Sequence, residues 1–434
     1  MRFSLQDRQI LSLAIPAIVS NITVPLLGLV DLAIVGHIGN ETLIGAIAVG
    51  SMIFNVIYWV FGFLRMGTSG LTAQAMGRKD DVAICSLLMQ SLLIAFSIAF
   101  LFIIFQIPIR WIALTAMHPS AEVIPHVQTY FNICIYGAPA MLCLYGILGW
   151  FIGMQDTRSP MVVSISQNVI NIVASFILVF VCHLKIEGVA YGTLIAQWCG
   201  LVLALWLLNR KRSFFLGALR GKSFDFSPLS FLAFLKVNRD IFFRTLFLVA
   251  VFLFFTSAGA RQGDMILSVN TLLMTFFTLF SYFMDGFAFA GEALCGKTYG
   301  ANNMEAFHAV CRRLFRWGWG MVIAFTVAYA LGGISFLHLL TDKPNVIAAA
   351  RDFFPWVLVI PLSGMAAFVY DGIFIGITAT RGMLVTCALA SVVFFLLYLS
   401  LAPILGNHAL WLSLIVYLAL RGIFQYFYLK ENKR

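Results

Sequence analysis

Three aspartates lie inside long apolar stretches of the chain, in LLGLVDLAIVGHIGN (Asp31), YFMDGF (Asp285) and VYDGIFIG (Asp371). An ionisable side chain inside a membrane is costly, and it is therefore a functional candidate. Because burial favours the neutral form of a carboxyl group, Asp31 is suited to load and release a proton; with some water present, its oxygens would instead suit Na⁺. Pro25, six residues before Asp31, removes a backbone hydrogen bond and makes this segment a candidate hinge.

A polar stripe follows one apolar segment, SQNVINIVASF. Asn168, Asn171 and Ser175 are spaced to share one face of a helix, and Gln167 adjoins them. Such a stripe faces either a neighbouring helix, as plain helix–helix packing, or a water-filled cavity. Further polar residues on neighbouring apolar segments are candidates to complete a cluster with Asp31: Tyr130, Tyr136 and Thr193.

The two aspartates of the second half allow two interpretations. Asp285 and Asp371 are each followed by glycine, which predicts close backbone packing at both positions. They are candidates for a second ion or substrate site. Alternatively, they form structural ion pairs with Arg244 or Arg261.

The composition indicates that these residues are positioned by membrane-spanning helices. The chain of 434 residues is 61% hydrophobic and 11% charged, with a mean hydropathy of +0.95. Soluble domains are about 45–50% apolar and about 25% charged. The chain lacks the polar surface that a water-soluble fold needs, so a soluble enzyme and a disordered protein are both excluded.

Apolar runs long enough to span a bilayer occur twelve times. They predict an all-α polytopic membrane protein with six spans before and six after a polar, basic stretch at 209–240. The predicted spans are 11–36, 43–64, 82–106, 128–152, 160–183, 186–208, 241–260, 264–290, 307–331, 353–376, 382–405 and 408–429.

The net charge of +10 is explained by membrane orientation. Basic residues, with Arg421 among them, favour the loops on the side of the two termini by roughly four to one, as the positive-inside rule requires. This bias predicts an inner-membrane protein with cytoplasmic N- and C-termini. The basic residues therefore imply no nucleic-acid partner.

Sequence motifs for bound cofactors are missing. The chain contains no GxxxxGK[ST], CxxC or HExxH motif, so we expect no ATP hydrolysis by this chain alone, no cofactor and no structural metal. A single chain with both halves needs no partner subunit, so a monomer in membrane lipid is expected.

An internal repeat relates the two halves. FIGMQDTR at Phe151–Arg158 recurs 223 residues later as FIGITATR at Phe374–Arg381, with five of eight positions identical. Because six spans is an even number, the two halves have the same orientation in the membrane. Such parallel repeats are typical of transporters that hold substrate between the halves. The predicted domains are an N-terminal six-helix lobe (1–208), a cytoplasmic linker (209–240) and a C-terminal six-helix lobe (241–434).

Several segments resemble the multidrug and toxic compound extrusion (MATE) family, and its DinF-like branch in particular: LSLAIPAI, VDLAIVGHIG, GLTAQAMGRKD, GWFIGMQDTRSP, KVNRDIFFRTL and DGFAFAGEALCGKTYGANN. The resemblance implies two six-helix lobes that open alternately to either side of the membrane. It also implies an antiporter that exports organic, often cationic or amphipathic compounds in exchange for H⁺ or Na⁺.

The resemblance also implies roles for individual residues. The family's first-helix aspartate falls on Asp31 and its fifth-helix asparagine on Asn171, with Tyr130 and Thr193 as neighbours. Some relatives carry a second acid one turn after that asparagine, where this chain has Ser175. With one carboxylate, a Na⁺ site is weaker on charge grounds, so the preferred hypothesis is proton coupling through Asp31.

Three other functions remain open. A flippase for lipid-linked precursors, from the same superfamily, would need several basic residues in its cavity, and only Arg65 and Arg244 lie near helix ends. A membrane-embedded transferase would need clustered acids, and no DxxxD pair lies in a predicted span. The parallel repeat argues against a channel but does not exclude one.

Overall fold

The computed structural model describes the backbone of residues 4–36, 41–211, 214, 217 and 224–431. The side chains of residues 24–33, 35, 36 and 41 lie outside the described part, although their backbone is helical. Over the described ranges the chain consists of helices and short connections, without a strand. The predicted all-α fold is confirmed.

The described residues of the first half form nine α-helices. Two pairs of them, α2–α3 and α6–α7, each form one span. A turn of 3₁₀-helix at Ile135–Gly137 joins α6 to α7, and a π-helical turn at Ile177–Val181 extends α8. The helices are α1 (Leu5–Gly36), α2 (Glu41–Phe61), α3 (Phe63–Arg78), α4 (Asp81–Ile104), α5 (Gln106–Met117), α6 (Ile124–Cys134), α7 (Ala138–Gly153), α8 (Arg158–Phe176) and α9 (Ile186–Asn209).

The second half is built from six long helices, one for each predicted span. The first four extend 9 to 13 residues beyond one end of the predicted apolar run, because helical structure continues past the apolar core of the run, and the last two match their runs to within two residues. These helices are α10 (Pro228–Arg261), α11 (Asp264–Gly300), α12 (Met304–Leu340), α13 (Pro344–Gly376), α14 (Thr380–Leu405) and α15 (Asn407–Glu431).

Eleven of the described helical segments are long and apolar enough to cross a membrane. Helix α1 corresponds to the remaining predicted span, 11–36. The chain is therefore a multi-pass membrane protein.

The internal repeat is visible in the backbone. Three pairs of residues with positive φ are each separated by 223 positions: Lys79 and Asn302, Gln155 and Thr378, His183 and Gly406. The side chains of Asp80 and Asn303, also 223 positions apart, accept hydrogen bonds from the backbone N–H groups of Ala83 and Ala306. Helix ends of the two halves are thus formed by equivalent turns.

One difference between the halves has a local cause. Helix α12 is continuous, whereas its equivalent in the first half is divided into α4 and α5 at Phe105. Pro108 lies just after this division and Leu331 occupies the equivalent position in α12. A proline cannot donate to the carbonyl four residues earlier, and its ring clashes with that carbonyl, so the helix is interrupted there.

Contacts divide the chain into two compact units. The C-terminal unit comprises Met1–Ile18 and Arg239–Arg434, and the N-terminal unit comprises Val19–Asn238. This division differs from the predicted lobes because the beginning of α1 groups with the second half and the beginning of α10 with the first. The chain therefore passes from one unit to the other inside two helices, between Ile18 and Val19 and between Asn238 and Arg239.

Candidate ion-coupling and substrate sites

A chain of hydrogen bonds links α8 to α9 in the N-terminal unit. Asn171 is buried, and its Nδ2 donates to Thr193 Oγ1 at 3.1 Å. Ser175 Oγ donates to Asn171 Oδ1 at 3.4 Å, and Thr193 Oγ1 donates to the Val189 carbonyl at 3.1 Å. The structure thus brings together three of the predicted residues, and none of these three side chains is an acid.

Close packing of α8 against α9 makes this cluster possible. A Cβ atom at Gly192 would overlap Ser175 Oγ and would lie 2.8 Å from the Ser175 backbone nitrogen. Gly200, two turns later on α9, gives similar room to the side chain of Gln167. Glycines at these positions let the polar face of α8 lie directly on α9.

Two further residues of the polar stripe lie beside the cluster. The Nδ2 atom of Asn168, one turn before Asn171, is buried and has no hydrogen-bond partner among the described residues. Gln167 Nε2 lies 3.8 Å from the sulfur of Met141 on α7. An unpaired buried amide is costly, which makes Asn168 a natural contact for a water molecule or a ligand.

The two predicted tyrosines have different environments. Tyr130 on α6 is buried, its hydroxyl lies 3.3 Å from Ser51 Oγ on α2, and its ring occupies the space left by Gly50. Tyr136 has 49% of its surface exposed, and its backbone carbonyl accepts from Trp198 Nε1. Tyr130 is therefore part of the interior of the unit and Tyr136 is not.

Asp31 and Pro25 belong to α1, but their side chains lie outside the described residues. Their predicted roles in coupling and bending stay predictions.

Asp371 forms a buried ion-pair cluster in the C-terminal unit. Its Oδ2 accepts from Arg244 Nη2 on α10 and from Arg421 Nη2 on α15, the latter at 2.6 Å. Its Oδ1 accepts from Gln425 Nε2 at 2.7 Å. Both carboxylate oxygens are thus occupied by donors, and the cluster holds two cations for one anion.

This geometry corrects one assignment from the charge count. Arg421 was counted with the cytoplasmic loops, whereas it is buried within α15 beside Asp371. Arg421 and Gln425 are four residues apart on an otherwise apolar helix, and this spacing was the signal that the sequence offered. The proposed pairing of Asp371 with Arg244 is present.

Asp285 does not belong to the Asp371 cluster. It is partly buried on α11, whereas the hydrogen bonds to Asp371 come from α10 and α15. The following residue, Gly286, packs against α1: a Cβ added to Gly286 would lie 2.8 Å from the carbonyl oxygen of Ala14. Asp285 is therefore a candidate on a different helix, α11, from the hydrogen-bond partners of Asp371.

A further polar contact, missed by the sequence analysis, fixes the start of α1 in the C-terminal unit. Arg313 on α12 donates to Asp7 Oδ2 and to Gln6 Oε1, both at 2.7 Å, and Trp317 Nε1 donates to Asp7 Oδ1 at 3.3 Å. Partial burial raises the pKa of Asp7, but hydrogen bonds from Ser4, Arg313 and Trp317 outweigh it and lower the pKa to about 2.

The start of α10 is held in an equivalent way in the N-terminal unit. Gln90 on α4 donates to Ser230 Oγ and to the Asp225 carbonyl, both at 3.0 Å. Gln90 and Arg313 are 223 positions apart, as are Asp7 and Ser230. The repeat was therefore the signal that could have found both contacts.

The part of the chain that the structure describes contains no cluster of metal-binding side chains. No group of three or more His, Cys, Asp or Glu side chains lies together there.

Comparison with known proteins identifies the family. Residues 16–177 and, separately, residues 241–399 match the MatE family. The chain belongs to the MatE family. The double match supports the internal repeat, because each half is recognised on its own.

Two bacterial proteins resemble this chain over most of its length. DNA damage-inducible protein F of Escherichia coli is 38% identical over 96% of this chain and 90% of its own length. A probable multidrug resistance protein NorM of Thermotoga maritima is 22% identical over 79% of this chain and 74% of its own length. The resemblance to the DinF-like branch is confirmed.

Solved MATE structures share the fold. A MATE in the bent conformation has a TM-score of 0.84 at 19% identity, covering 99% of this chain and 96% of its own. A variant of a Vibrio cholerae MATE transporter has a TM-score of 0.85 at 16% identity, with coverage of 98% and 96%. These structures confirm the expectation of a MATE-type fold. The family match places the chain among transporters rather than enzymes, as expected.

Proposed function

We propose that this chain is a proton-coupled antiporter that exports organic, often cationic or amphipathic compounds, with Asp31 as the coupling residue. The observation that carries the proposal is the buried cluster of Asn171, Ser175 and Thr193, which is polar but neutral. With no acid in this cluster, Asp31 would be the single titratable carboxyl group of the site. A single carboxyl group is sufficient for a proton, whereas Na⁺ sites gain affinity from additional anionic oxygens.

The proposed cycle is an exchange at a common site. Protonation of Asp31 from the outside would remove the negative charge that holds a cationic substrate, and the substrate would leave. Deprotonation toward the cytoplasm would restore the charge for the next substrate molecule. Asn171, Thr193 and Tyr130 would orient the carboxyl group, while Asn168, Gln167 and the exposed Tyr136 are candidates for substrate contact.

Alternating access requires the two units to move relative to each other. The chain passes between them only inside α1 and α10 in the described residues. A bend in α1 at Pro25 is therefore our proposed hinge. The protein would act as a monomer in the inner membrane, with both termini cytoplasmic and no cofactor beyond the coupling ion.

Asp371 is a weaker candidate for coupling than Asp31. Its two oxygens already accept three hydrogen bonds, two of them from guanidinium groups. The charge of a carboxylate held by guanidinium groups in this way is already compensated, which leaves little of it for a coupling ion. Asp285, which lies outside this cluster, remains the second-lobe candidate for substrate binding.

A flippase for anionic lipid-linked precursors is the second candidate function. The observation in its favour is the excess positive charge of Arg244 and Arg421 over Asp371. Both guanidinium groups donate to Asp371, which leaves less of their charge for a lipid headgroup. The antiporter is therefore the proposal that the described residues support better.

The decisive experiment measures export of ethidium from proteoliposomes driven by ΔpH alone or by ΔNa⁺ alone. We expect ΔpH to drive export by the native chain, and Asp31→Asn to abolish it. Asp352→Asn, an exposed acid on α13, is the matched control and should transport normally.

Transport driven by ΔNa⁺ at zero ΔpH would refute proton coupling while leaving the antiporter intact. Absence of ethidium export under either gradient, combined with movement of fluorescent anionic lipid between leaflets, would replace the antiporter with the flippase.

A further inference from the structure

Two of the eight cysteines lie in direct contact. The Sγ atoms of Cys295 on α11 and Cys311 on α12 are 3.8 Å apart. All eight cysteines are described and all are free thiols. In the described structure this is the only contact between two thiols.

The remaining cysteines have other environments. Cys134 Sγ lies 3.8 Å from the Ala190 carbonyl, and Cys387 Sγ lies 3.6 Å from the Tyr417 hydroxyl. Cys85 and Cys143 are buried, Cys199 is partly buried and Cys182 is exposed. Among the hydrogen bonds and contacts described, none of these six pairs with another thiol.

We propose that Cys295 and Cys311 form an oxidation site that hydroperoxides convert to an intramolecular disulfide. A disulfide needs the two sulfurs about 2.05 Å apart, so the pair must close by less than 2 Å. The two helices are joined by a turn of only three residues, 301–303, which limits their separation. The bond would fasten α11 to α12 near that turn.

The two thiols differ in accessibility, and this difference orders the reaction. Cys311 is partly exposed, whereas Cys295 is completely buried. The thiolate of Cys311 attacks one oxygen of hydrogen peroxide, the O–O bond breaks, and a sulfenic acid and hydroxide form. Cys295 then attacks that sulfur, the S–O bond breaks, and its proton leaves with the hydroxyl group as water. In total, two thiols and one peroxide give one disulfide and two waters.

Packing indicates which sulfur moves. Gly296, beside Cys295, lies at the close approach of α11 to α13, where a Cβ added to Gly376 would be 2.8 Å from the Gly296 nitrogen. Since α11 is held there by backbone contact, closure of the disulfide falls mainly to Cys311. A site with an accessible attacking thiol and a buried resolving thiol is typical of reversible oxidation.

The test is peptide mapping of the purified full-length protein after treatment with hydrogen peroxide. Under non-reducing conditions we expect a pair of linked peptides that contain Cys295 and Cys311, with a mass two hydrogen atoms below their sum. Two fewer thiols should react with maleimide after denaturation. Dithiothreitol should restore both thiols. Because the native chain is used, the result does not depend on the folding of a variant.

Two variants and a matched control separate the roles of the sulfurs. Cys295→Ser should stop the reaction at a dimedone-reactive sulfenic acid on Cys311, and Cys311→Ser should lose the linked peptides. Cys182→Ser removes an exposed cysteine elsewhere and should leave the linkage unchanged. Oxidation of Cys182 in the native chain without a Cys295–Cys311 linkage would overturn the proposal, as would linkage of Cys311 to any other cysteine.

Discussion

The carboxylate of Asp371 is held by three donors from two helices, and this arrangement makes its removal costly. In Asp371→Asn the guanidinium groups of Arg244 and Arg421 would remain buried without a counter-charge. Breaking a buried ion pair in this way costs about 3–5 kcal/mol. We expect a lower unfolding temperature in detergent, measured by intrinsic fluorescence.

Two comparisons make this prediction specific. Asp352→Asn changes an exposed acid on the same helix and should leave the unfolding temperature unchanged. Adding Arg421→Gln to Asp371→Asn should recover part of the loss, because it removes one uncompensated charge. Unchanged stability of Asp371→Asn together with selective loss of transport would instead assign Asp371 to coupling.

At the scale of residues, the sequence predicted contacts within a helix better than contacts between helices. The i, i+4 spacing of Asn171 and Ser175 placed them on one face of α8, where they are hydrogen-bonded. Arg421 was misassigned because a charge near the end of an apolar run is equally consistent with a loop and with a buried pair. Only the packing of α15 against α13 distinguishes these alternatives.

At the scale of elements, the halves share a tight helix–helix approach. A Cβ at Gly149 would overlap the Arg65 carbonyl oxygen, and one at Gly372 would overlap that of Ala288. These two contacts are equivalent, since Gly149 and Gly372 are 223 positions apart, as are Arg65 and Ala288. Small residues that let helix backbones touch are typical of packing in membranes.

Substitution of Gly372 tests this approach. Gly372→Ala should destabilise the protein by about 1–3 kcal/mol, because backbone atoms must shift to admit the methyl group. Gly320→Ala on α12 is the matched control: nothing lies within 4 Å of its added Cβ, and alanine favours helix by up to about 1 kcal/mol. Equal unfolding temperatures for the two variants would contradict the close approach.

The contact between Asp7 and Arg313 predicts a pH dependence at the start of α1. The pKa of Asp7 is about 2 in the folded chain, against 3.8 for the free side chain. Because the folded pKa is lower, the contact stabilises fully above about pH 4 and is lost as the pH falls through about 2. Its contribution at neutral pH is on the order of 1 kcal/mol, because water screens an ion pair that lies near the surface.

The measurement is the free energy of unfolding of the native chain and of Asp7→Asn, at pH values from about 2 to neutral. The difference in free energy of unfolding should be largest at neutral pH and should shrink between about pH 4 and about pH 2. Asp264→Asn, an exposed acid in the first turn of α11, controls for the loss of one negative charge. A difference that is constant over the whole range would show that Asp7 contributes no ionic interaction.

At the scale of the whole molecule, the sequence predicted the repeat but not the exchange, in which the beginning of α1 belongs to the C-terminal unit and the beginning of α10 to the N-terminal unit. The offset of 223 residues in FIGMQDTR and FIGITATR recurs in the positive-φ turns and helix caps, because turns depend on local sequence. The unit to which the first turns of α1 and α10 belong depends on distant contacts. The hydropathy pattern predicts the length of a span but not which helices the span contacts.

This exchange predicts that neither half folds well without the other. Ile10, Leu13, Ala14 and Ala17 of α1 are buried and belong to the C-terminal unit. A fragment of residues 217–434 lacks this segment and would expose the apolar surface that it covers. Expressed alone, this fragment should aggregate on extraction, as judged by size-exclusion chromatography. The fragment of residues 1–216 lacks the buried Phe234 of α10, and we expect it to aggregate for the same reason.

Co-expression of the two fragments should restore a stable complex, because the division falls between α9 and α10 and leaves both shared helices intact. We expect the pair to co-purify through a tag on one fragment and to export ethidium at a rate of the same order as the uncut chain. A division inside α10, between Asn238 and Arg239, is the control; it cuts the helix where the chain changes unit and should abolish transport. If the 217–434 fragment were monodisperse and stable on its own, the beginning of α1 would not be needed to complete the C-terminal unit.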